Sequence, residues 1–389
     1  MAELDLKDLL EKYEGFYYPY AKVYLGDSDP EEDKKLKITI FDYHVENTCE
    51  FKASIATFSI SGIFDESTGF YDMKTLKKYV MLGNSVKIML GHAKEITEVF
   101  RGYVARVDFM YNNDTFEPGE GIIRVTAMDV KGIMMANNNS RRLEANYYSD
   151  AVNEILNSAS YQNLVNNQII TDISVGATPD KPPGGAEAGP PPDNRIEMVA
   201  ESDYDFVVKV AKRFNFEFFT VGGNITFRPA KTNTQELLDI IPSIIIKEFD
   251  VAYDITGVVG QVKVRTIDIG KGNKVEVTKK NQSTFSLGSK AKPLLSNQTY
   301  VYTDSSIETQ TDADQRAAYI MEDMSYRLGT LNMRISGIPE IVPGRFVKLT
   351  GFGEGISNTY YLTDVIHDFN SREGYTTTLI GKASTISKG

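Results

Sequence analysis

The sequence contains no tryptophan, three histidines and a single cysteine, and each shortage narrows the classes of protein to consider. A lone Cys49 excludes a disulfide within the chain and any metal site built from several thiolates. The histidines His44, His92 and His367 form no H-E-x-x-H motif or comparable pair, which gives little support to a zinc hydrolase. The simplest interpretation of Cys49 is a small buried strand residue.

Long apolar runs and a basic N-terminus are also missing. The opening MAELDLKDLL is acidic and amphipathic, unlike a secretory signal, and no apolar stretch approaches the ~18–20 residues that cross a bilayer. We therefore expect a soluble protein without stable membrane association. A formal charge of −11 argues against a protein that grips nucleic acid, because phosphates are bound by Lys and Arg. It is compatible with a conduit through which DNA slides.

Patterns that carry catalysis are few. The 53 acidic residues could include a lysozyme-like pair, but no segment resembles a helix-borne acid in an apolar cleft. The glycine-rich GFGEGIS at 351–357 lacks the Lys-Ser/Thr and the helix of a phosphate loop, so we expect a hairpin loop there. His367, within VIHDF, is expected to bond across its hairpin, or its neighbour Asp368 to cap a turn. We predict no enzyme activity, no cofactor, and no catalytic, cofactor-binding or metal-binding residue.

Aromatic and β-branched residues are abundant, with 22 Tyr and 20 Phe, and they fall in short runs that favour strands. A chain of 389 residues is long enough for two or three domains. Residues 1–19 contain a short amphipathic helix that ends at Gly15 and docks on another surface. Residues 20–138 alternate with period two and predict a first β domain, with one short helix near Met73–Tyr79.

Residues 139–243 have the pattern of an α/β domain. Ser149 is placed to cap one helix, and Ser202 with Asp205 has the spacing of a capping box for another. A hairpin with Gly222-Gly223 at its turn follows. The stretch 176–195 holds six of the fourteen prolines and is interpreted as an exposed loop, with a PxxP ligand as the alternative.

Strands return over residues 244–389, which also include a predicted helix at 312–328 that is capped by Asp312. The frame G-x-x-V-K-aliphatic occurs twice, at Gly83–Ile88 and at Gly344–Leu349. Each copy is expected to follow a helix and to precede two strands. Alternation places four residues of these repeats in the cores of their modules: Val86, Ile88, Val347 and Leu349.

The fold prediction is thus α+β and β-dominated, with two related tube-like β-barrel or sandwich domains flanking an α/β domain. Three such chains around an axis would present six similar modules and so imitate sixfold symmetry. A closed ring would also remove sheet edges.

Five segments, in this order over about residues 20–385, resemble the central hub proteins of contractile-tail baseplates. They are VFRGYVARVDF (99–109), RVTAMDVKGIM (124–134), ESDYDFVVKVAKRFNFEF (201–218), PGRFVKLTG (343–351) and YLTDVIHDFNSREGYTTTL (361–379). These hubs are also called late control protein D-like proteins, and they are similar to the N-terminal hub part of valine-glycine-repeat spike proteins. The family has a phenylalanine-glycine pair in the first of these strands, which Arg101 interrupts here.

The resemblance implies a homotrimer that forms a pseudo-hexameric ring and joins a hexameric tail tube to a trimeric spike. Because the sequence stops at Gly389, soon after the second module, we expect a separate spike protein. The tail tube protein and other baseplate proteins are further expected partners, the tape measure protein is a candidate, and DNA is expected only as cargo in the channel. The expected location is the baseplate of a virion or tail-like particle, assembled in the host bacterial cytoplasm.

The alternative is a β-rich receptor- or carbohydrate-binding tail protein. Its contacts would be the adjacent tyrosines Tyr17, Tyr18, Tyr147 and Tyr148, although neighbouring tyrosines in strands usually have one ring buried. The repeated module favours the hub.

Overall fold

The structure is a computed structural model that describes residues 4–65, 67–112, 120–181, 196–267, 274–285, 290–304, 307 and 309–387. Strands dominate it, and helices are fewer, so the prediction of a β-rich α+β fold is confirmed. Among the described residues, no helix is both long and apolar enough to span a membrane.

The first module follows a short N-terminal helix. The elements of this region are α1 (Leu6–Lys12), β1 (Pro19–Leu25), β2 (Thr39–Thr48), β3 (Ile55–Ser61), β4 (Phe64–Asp65), β5 (Phe70–Tyr71), α2 (Met73–Leu76), β6 (Ser85–His92), β7 (Glu95–Asn112) and β8 (Glu120–Met128). Six of these strands form the first module, in the antiparallel order β1-β6-β7-β8-β3-β2. Alternate side chains such as Val86, Ile88 and Phe58 are fully buried in one core, as the period-two pattern predicts.

The middle domain packs helices on a small sheet. Its elements are α3 (Val130–Met134), β9 (Asn139–Arg142), α4 (Tyr148–Leu156), α5 (Ala159–Asn166), β10 (Asp172–Val175), β11 (Glu197–Glu201), α6 (Asp203–Phe214), β12 (Phe216–Val221) and β13 (Asn224–Pro229). The predicted hairpin is confirmed as β12 and β13, and Ser202 and Asp205 cap α6 reciprocally. Residues 182–195 of the predicted proline-rich loop lie outside the described residues.

The predicted cap of α4 is wrong. The cap position is Tyr147, and Ser149 lies inside the helix. The first amides of the helix are satisfied from another segment, because Tyr148 N donates to Asp180 Oδ2 at 2.9 Å and Ser149 N donates to Thr178 Oγ1 at 2.9 Å. A cap that comes from about 30 residues away leaves no local signature in the sequence.

The remaining elements are β14 (Glu236–Ile240), β15 (Ile246–Tyr253), β16 (Gln261–Ile267), β17 (Lys274–Lys280), α7 (Ala291–Leu295), β18 (Thr299–Thr303), α8 (Gln310–Ser325), β19 (Gly329–Ser336), β20 (Phe346–Leu349), β21 (Thr359–Asn370) and β22 (Gly374–Ala383). Six of them form the second module, in the order β14-β20-β21-β22-β19-β15. Val347 and Leu349 lie in its core. β14 belongs to this sheet, although the sequence analysis places its residues in the preceding α/β segment.

Between β15 and β19 the chain forms a separate three-stranded sheet, in the order β17-β16-β18, which α8 covers. We call β16, β17, β18, α7 and α8 the inserted unit. Helix α8 is capped by Thr309, whose side chain accepts a hydrogen bond from Asp312 N, so the predicted cap at Asp312 is wrong. Asp312 is instead the third residue of the helix and completes a capping box.

The two modules are halves of one twelve-stranded sheet rather than two separate sheets. Helix α1 also ties them together, because its Leu9 and Tyr13 are buried in the core of the second module before the chain enters β1 of the first. Lys12 Nζ and Tyr13 Oη both donate to Glu340 Oε1 at 2.5 Å. The predicted docking of the N-terminal helix is therefore confirmed.

Candidate subunit interface

The two copies of the G-x-x-V-K frame occupy the same place in their modules. Gly83 N donates to Val104 O at 2.9 Å, and Gly344 N donates to Leu362 O at 2.9 Å. Both glycines have positive φ, +86° and +76°, a region that favours glycine. The expectation that each repeat follows a helix fails for the second copy, because β19 lies between α8 and Gly344.

The long strand after each repeat carries a bulge at the same point. The register of β7 with β8 shifts between Val104 and Arg106, and that of β21 with β22 shifts between Leu362 and Asp364. Extra residues of this kind bend a strand and increase its twist. The modules thus share a strand order, a glycine turn and a bulge.

Strand β21 changes its neighbour halfway along its length. Its first residues pair with β20, and beyond the bulge its residues Asp364–Phe369 pair with Thr48–Tyr43 of β2. We call this β2–β21 contact the internal joint. It connects the last strand of the first module to the long strand of the second.

Side chains reinforce the internal joint on both faces. On one face, His44 Nδ1 and Asp368 Oδ1 lie 2.7 Å apart, and Lys52 Nζ lies 2.9 Å from Asp364 Oδ1. On the other, the rings of Tyr43 and Phe369 meet edge to face with centroids 5.6 Å apart. The hydrogen bond with Asp368 raises the pKa of His44, against the effect of partial burial.

The strands that correspond to the internal joint are open at the ends of the sheet. β15 holds the place of β2 in the second module, and among the described residues it pairs with β19 alone. β7 holds the place of β21, and beyond Val104 its only described strand neighbour is β8. We call these two stretches, Ile246–Tyr253 and the part of β7 from residue 106 to 112, the open edges.

Large apolar side chains are exposed along the open edges. Phe109 and Tyr111 of β7 are 52% and 51% exposed, and Phe249 of β15 is 42% exposed. The β4–β5 hairpin contacts the same part of β7. The rings of Tyr71 and Phe109 meet edge to face with centroids 5.3 Å apart, and the rings of Phe64 and Tyr111 are tilted against each other with centroids 4.8 Å apart. Exposed aromatic residues beside unpaired backbone are typical of a protein interface.

The strand register within each module shows which residues of the two modules correspond, and so which residues of the open edges would face each other. Val45 is in line with Ala56, Ala127 and Val104 across the first module. Val251 is in line with Leu331, Gly381 and Leu362 across the second. If β15 of one copy paired with β7 of a second copy in the register that β2 has with β21, Val251 would lie opposite Phe109 of the second copy. Asp254 would lie opposite Arg106 of that copy. An apolar pair and an opposite-charge pair are both favourable across antiparallel strands.

The repeat is visible in the sequence but the open edges are not, because a period of two residues indicates which face of a strand is buried and nothing about the strands beside it. Of the residues considered for chemistry, His367 is buried and its Nδ1 lies 3.0 Å from Tyr375 Oη and 3.2 Å from Thr377 Oγ1. The predicted bond across the hairpin is confirmed. Asp368 contacts His44 rather than capping a turn.

Cys49 is buried in the bend just after β2, and burial raises the pKa of its thiol to about 12. The GFGEGIS segment forms the loop between β20 and β21, as predicted. Among the described residues no group of three or more His, Cys, Asp or Glu could hold a metal ion.

The tyrosines of the alternative hypothesis lie outside strands. Tyr17 and Tyr18, just before β1, are 68% and 74% exposed. Tyr147 and Tyr148 are at the start of α4, where Arg213 lies 4.7 Å over the Tyr148 ring. The two pairs thus lie on different elements.

A protein-family model described as the Alg8 N-terminal domain matches residues 185–371, just under half of the chain, which assigns no family. No curated protein matches the sequence.

Solved structures match over nearly the whole chain. A tail protein from Neisseria meningitidis MC58 has a TM-score of 0.64 at 13% identity and covers 94% of this chain and 97% of its own. The 43 kDa tail protein of prophage MuSo2 from Shewanella oneidensis has a TM-score of 0.64 at 11% identity, with 94% and 98% covered.

An Escherichia coli component of the type VI secretion system has a TM-score of 0.55 at 9% identity, with 95% and 79% covered. At these identities the likeness concerns the fold. The chain has the fold of phage tail proteins, and the resemblance to baseplate hub proteins is confirmed at that level.

Proposed function

We propose that this chain is a structural hub in the baseplate of a phage tail or phage-tail-like contractile injection system. In the proposed assembly, β15 of each copy pairs with the open edge of β7 in the next copy. The observation that carries the proposal is the internal joint, because the chain makes within itself the contact that its open edges lack. The fold shared with two tail proteins over nearly their whole length supports it.

Such a contact joins two different surfaces of the same chain and therefore closes into a ring when the rotation permits. Three copies, the number implied by the resemblance to baseplate hubs, would supply six modules. A ring of this kind suits a hexameric tail tube on one side and a separate threefold spike on the other. Its work is mechanical, since it ends the tube, holds the spike and keeps a channel for cargo such as DNA.

A cysteine pair tests the proposed register. Applying the internal joint places Ala252 opposite Asp108 of the next copy, within the distance that a disulfide requires. The variant Asp108→Cys with Ala252→Cys should form covalent dimers and trimers under oxidation, seen on a non-reducing gel. Light scattering should give three times the chain mass of 43.4 kDa. Native Cys49 is buried and should stay unreacted.

The matched control places one of the two cysteines on the neighbouring strand β8 instead of on β7. Arg124 pairs with Asp108 inside the first module, so Arg124→Cys with Ala252→Cys should be about 10 Å apart and remain uncross-linked. A monomer at all concentrations, or equal cross-linking of both variants, would contradict the proposed ring.

A further inference from the structure

The sheet of the inserted unit has two edge strands, and only one of them carries charged side chains that would protect it from pairing with another chain. The protected edge is β17, which carries Lys274, Glu276, Lys279 and Lys280. The other edge is β18, with the sequence TYVYT and no charge. Within the part of the chain that the structure describes, β18 pairs with β16 alone. Charged side chains, Lys above all, commonly protect an edge strand from pairing with another chain, and β18 lacks them.

β18 borders a cleft of about 840 Å³. Tyr300 and Tyr302 of β18 line it and are in register with Val262 and Val264 of β16, which are buried beneath α8. The other walls come from α8, α6, the bend after β2 and the first residues of β21. Tyr300 is 40% exposed and Val301 49% exposed, so residues on both faces of this strand are accessible.

Basic residues outnumber acidic residues on the cleft walls, in a chain of net charge −11. The basic residues are Lys52, Lys212, Lys231, Arg316, Arg327 and Lys382, and the acidic ones are Glu50, Glu217 and Asp323. Each of these acids already has a basic partner: Lys382 for Glu50, Arg228 for Glu217 and Arg327 for Asp323. Four of the six basic residues also have carboxylate partners: Lys52 has Glu46 and Asp364, Arg316 has Asp304, Arg327 has Asp323 and Lys382 has Glu50. The excess positive charge on the cleft walls therefore lies on the other two basic residues.

These two residues are Lys212 and Lys231. Lys231 Nζ lies 4.9 Å from the centre of the Tyr326 ring and 5.8 Å from that of Tyr361, and Lys212 Nζ lies 5.4 Å from that of Phe51. Neither lysine has a carboxylate within 4.0 Å among the described residues. Both are therefore held beside aromatic rings, where an acidic group from another molecule could pair with them.

We propose that β18 is a docking strand for an extended acidic segment of a partner protein, which adds to the edge of the inserted unit. Backbone hydrogen bonds to β18 would supply affinity, and alternate acidic side chains would reach Lys212 and Lys231. Charge complementarity selects an acidic segment over a basic one. This surface is separate from the open edges, so the proposal does not depend on the ring.

Labelled synthetic decapeptides test the proposal by fluorescence anisotropy with the full chain. A peptide that alternates glutamate and valine should bind, and one that alternates lysine and valine should bind at least tenfold more weakly. The glutamate–valine peptide with N-methyl groups on alternate backbone amides should also bind at least tenfold more weakly, because it cannot form one row of strand hydrogen bonds. Equal binding of the three peptides, or no binding, would overturn the proposal.

Variants locate the binding on the chain. Tyr300→Glu places a negative charge on β18, and Lys231→Glu replaces a positive charge in the cleft by a negative one. Each variant should weaken binding of the glutamate–valine peptide at least tenfold. Thr278→Glu adds the same charge to the protected edge β17, where Thr278 is exposed, and should leave binding unchanged. Thermal unfolding checks that the variants are folded. If Tyr300→Glu does not fold, Lys231→Glu still tests the site.

Two outcomes would reject this site or its occupant. Equal loss in Thr278→Glu and Tyr300→Glu would mean that the peptide responds to net charge alone. An oligomer that Tyr300→Glu dissociates, as seen by sedimentation velocity, would assign β18 to a second copy of this chain instead of a partner.

Discussion

The two modules share their strand order and their bulged long strand, yet among the described residues only the first module has its outer strand, β2, covered by another strand of the chain. β2 contacts β21 at the internal joint, whereas β15, which holds the same place in the second module, has one strand neighbour among the described residues. The pairing of β2 with β21 is the model for the pairing that we propose for β15. The repeat within this chain is therefore the basis of the proposed interface between chains.

Helix α1 adds a second difference between the modules. It leaves the core of the second module through Tyr13, and the chain then passes beside His92, whose Nε2 lies 2.9 Å from Gly337 O. No equivalent helix precedes β14 among the described residues. Helix α1 and the contact of His92 with Gly337 thus join the two modules at a second place besides the internal joint.

The largest effect is expected from truncating matched core residues. Phe58 and Met333 occupy corresponding positions beside Val125 and Leu379, and both are fully buried. Phe58→Ala should lower the free energy of unfolding by about 3–5 kcal/mol and Met333→Ala by about 2–5 kcal/mol. Both variants should shift one common urea transition, because the modules share a sheet. Two transitions, with each variant moving only one, would contradict a single cooperative sheet.

A smaller effect distinguishes His367 from Phe109, its counterpart in the first module. Complete burial lowers the pKa of His367 from 6.5 to about 4. Between these values the unfolded chain binds more protons, so acidification from pH 7 to pH 4 should remove about 3 kcal/mol of stability through this group. In urea titrations, His367→Phe should show a shallower pH dependence over this range. A slope equal to that of the unaltered protein would show that His367 does not carry the effect.

The smallest effect concerns His44 and Asp368 at the internal joint, and its pH dependence has the opposite sign. The pKa of His44 is raised above 6.5, so its contribution is fully present below pH 6.5 and is lost as pH rises through the folded-state pKa. Because the side chains are 45% and 35% exposed, His44→Gln should cost less than about 1 kcal/mol at pH 6. At pH 9 it should cost almost nothing. An equal cost at both pH values would mean that the contact does not depend on charge.

Local features were predictable from the sequence and contacts between distant segments were not. The Ser202–Asp205 capping box lies within four residues, so its pattern identifies the start of α6. The start of α4 depends on Thr178 and Asp180, which approach it only in the folded chain. For the interface, the repeat was visible at Gly83 and Gly344, but the pairing of β2 with β21 depends on backbone groups that every residue type carries.

The internal joint also determines the order in which the chain can complete its structure during synthesis. His44 and Asp368 are 324 residues apart in sequence, and chain segments generally fold as they emerge from the ribosome. β2 must therefore wait, with one side unpaired, until almost the entire polypeptide has been made. Contacts of such high sequence separation slow folding and lengthen exposure to aggregation. The internal joint is thus among the last parts of the chain to form.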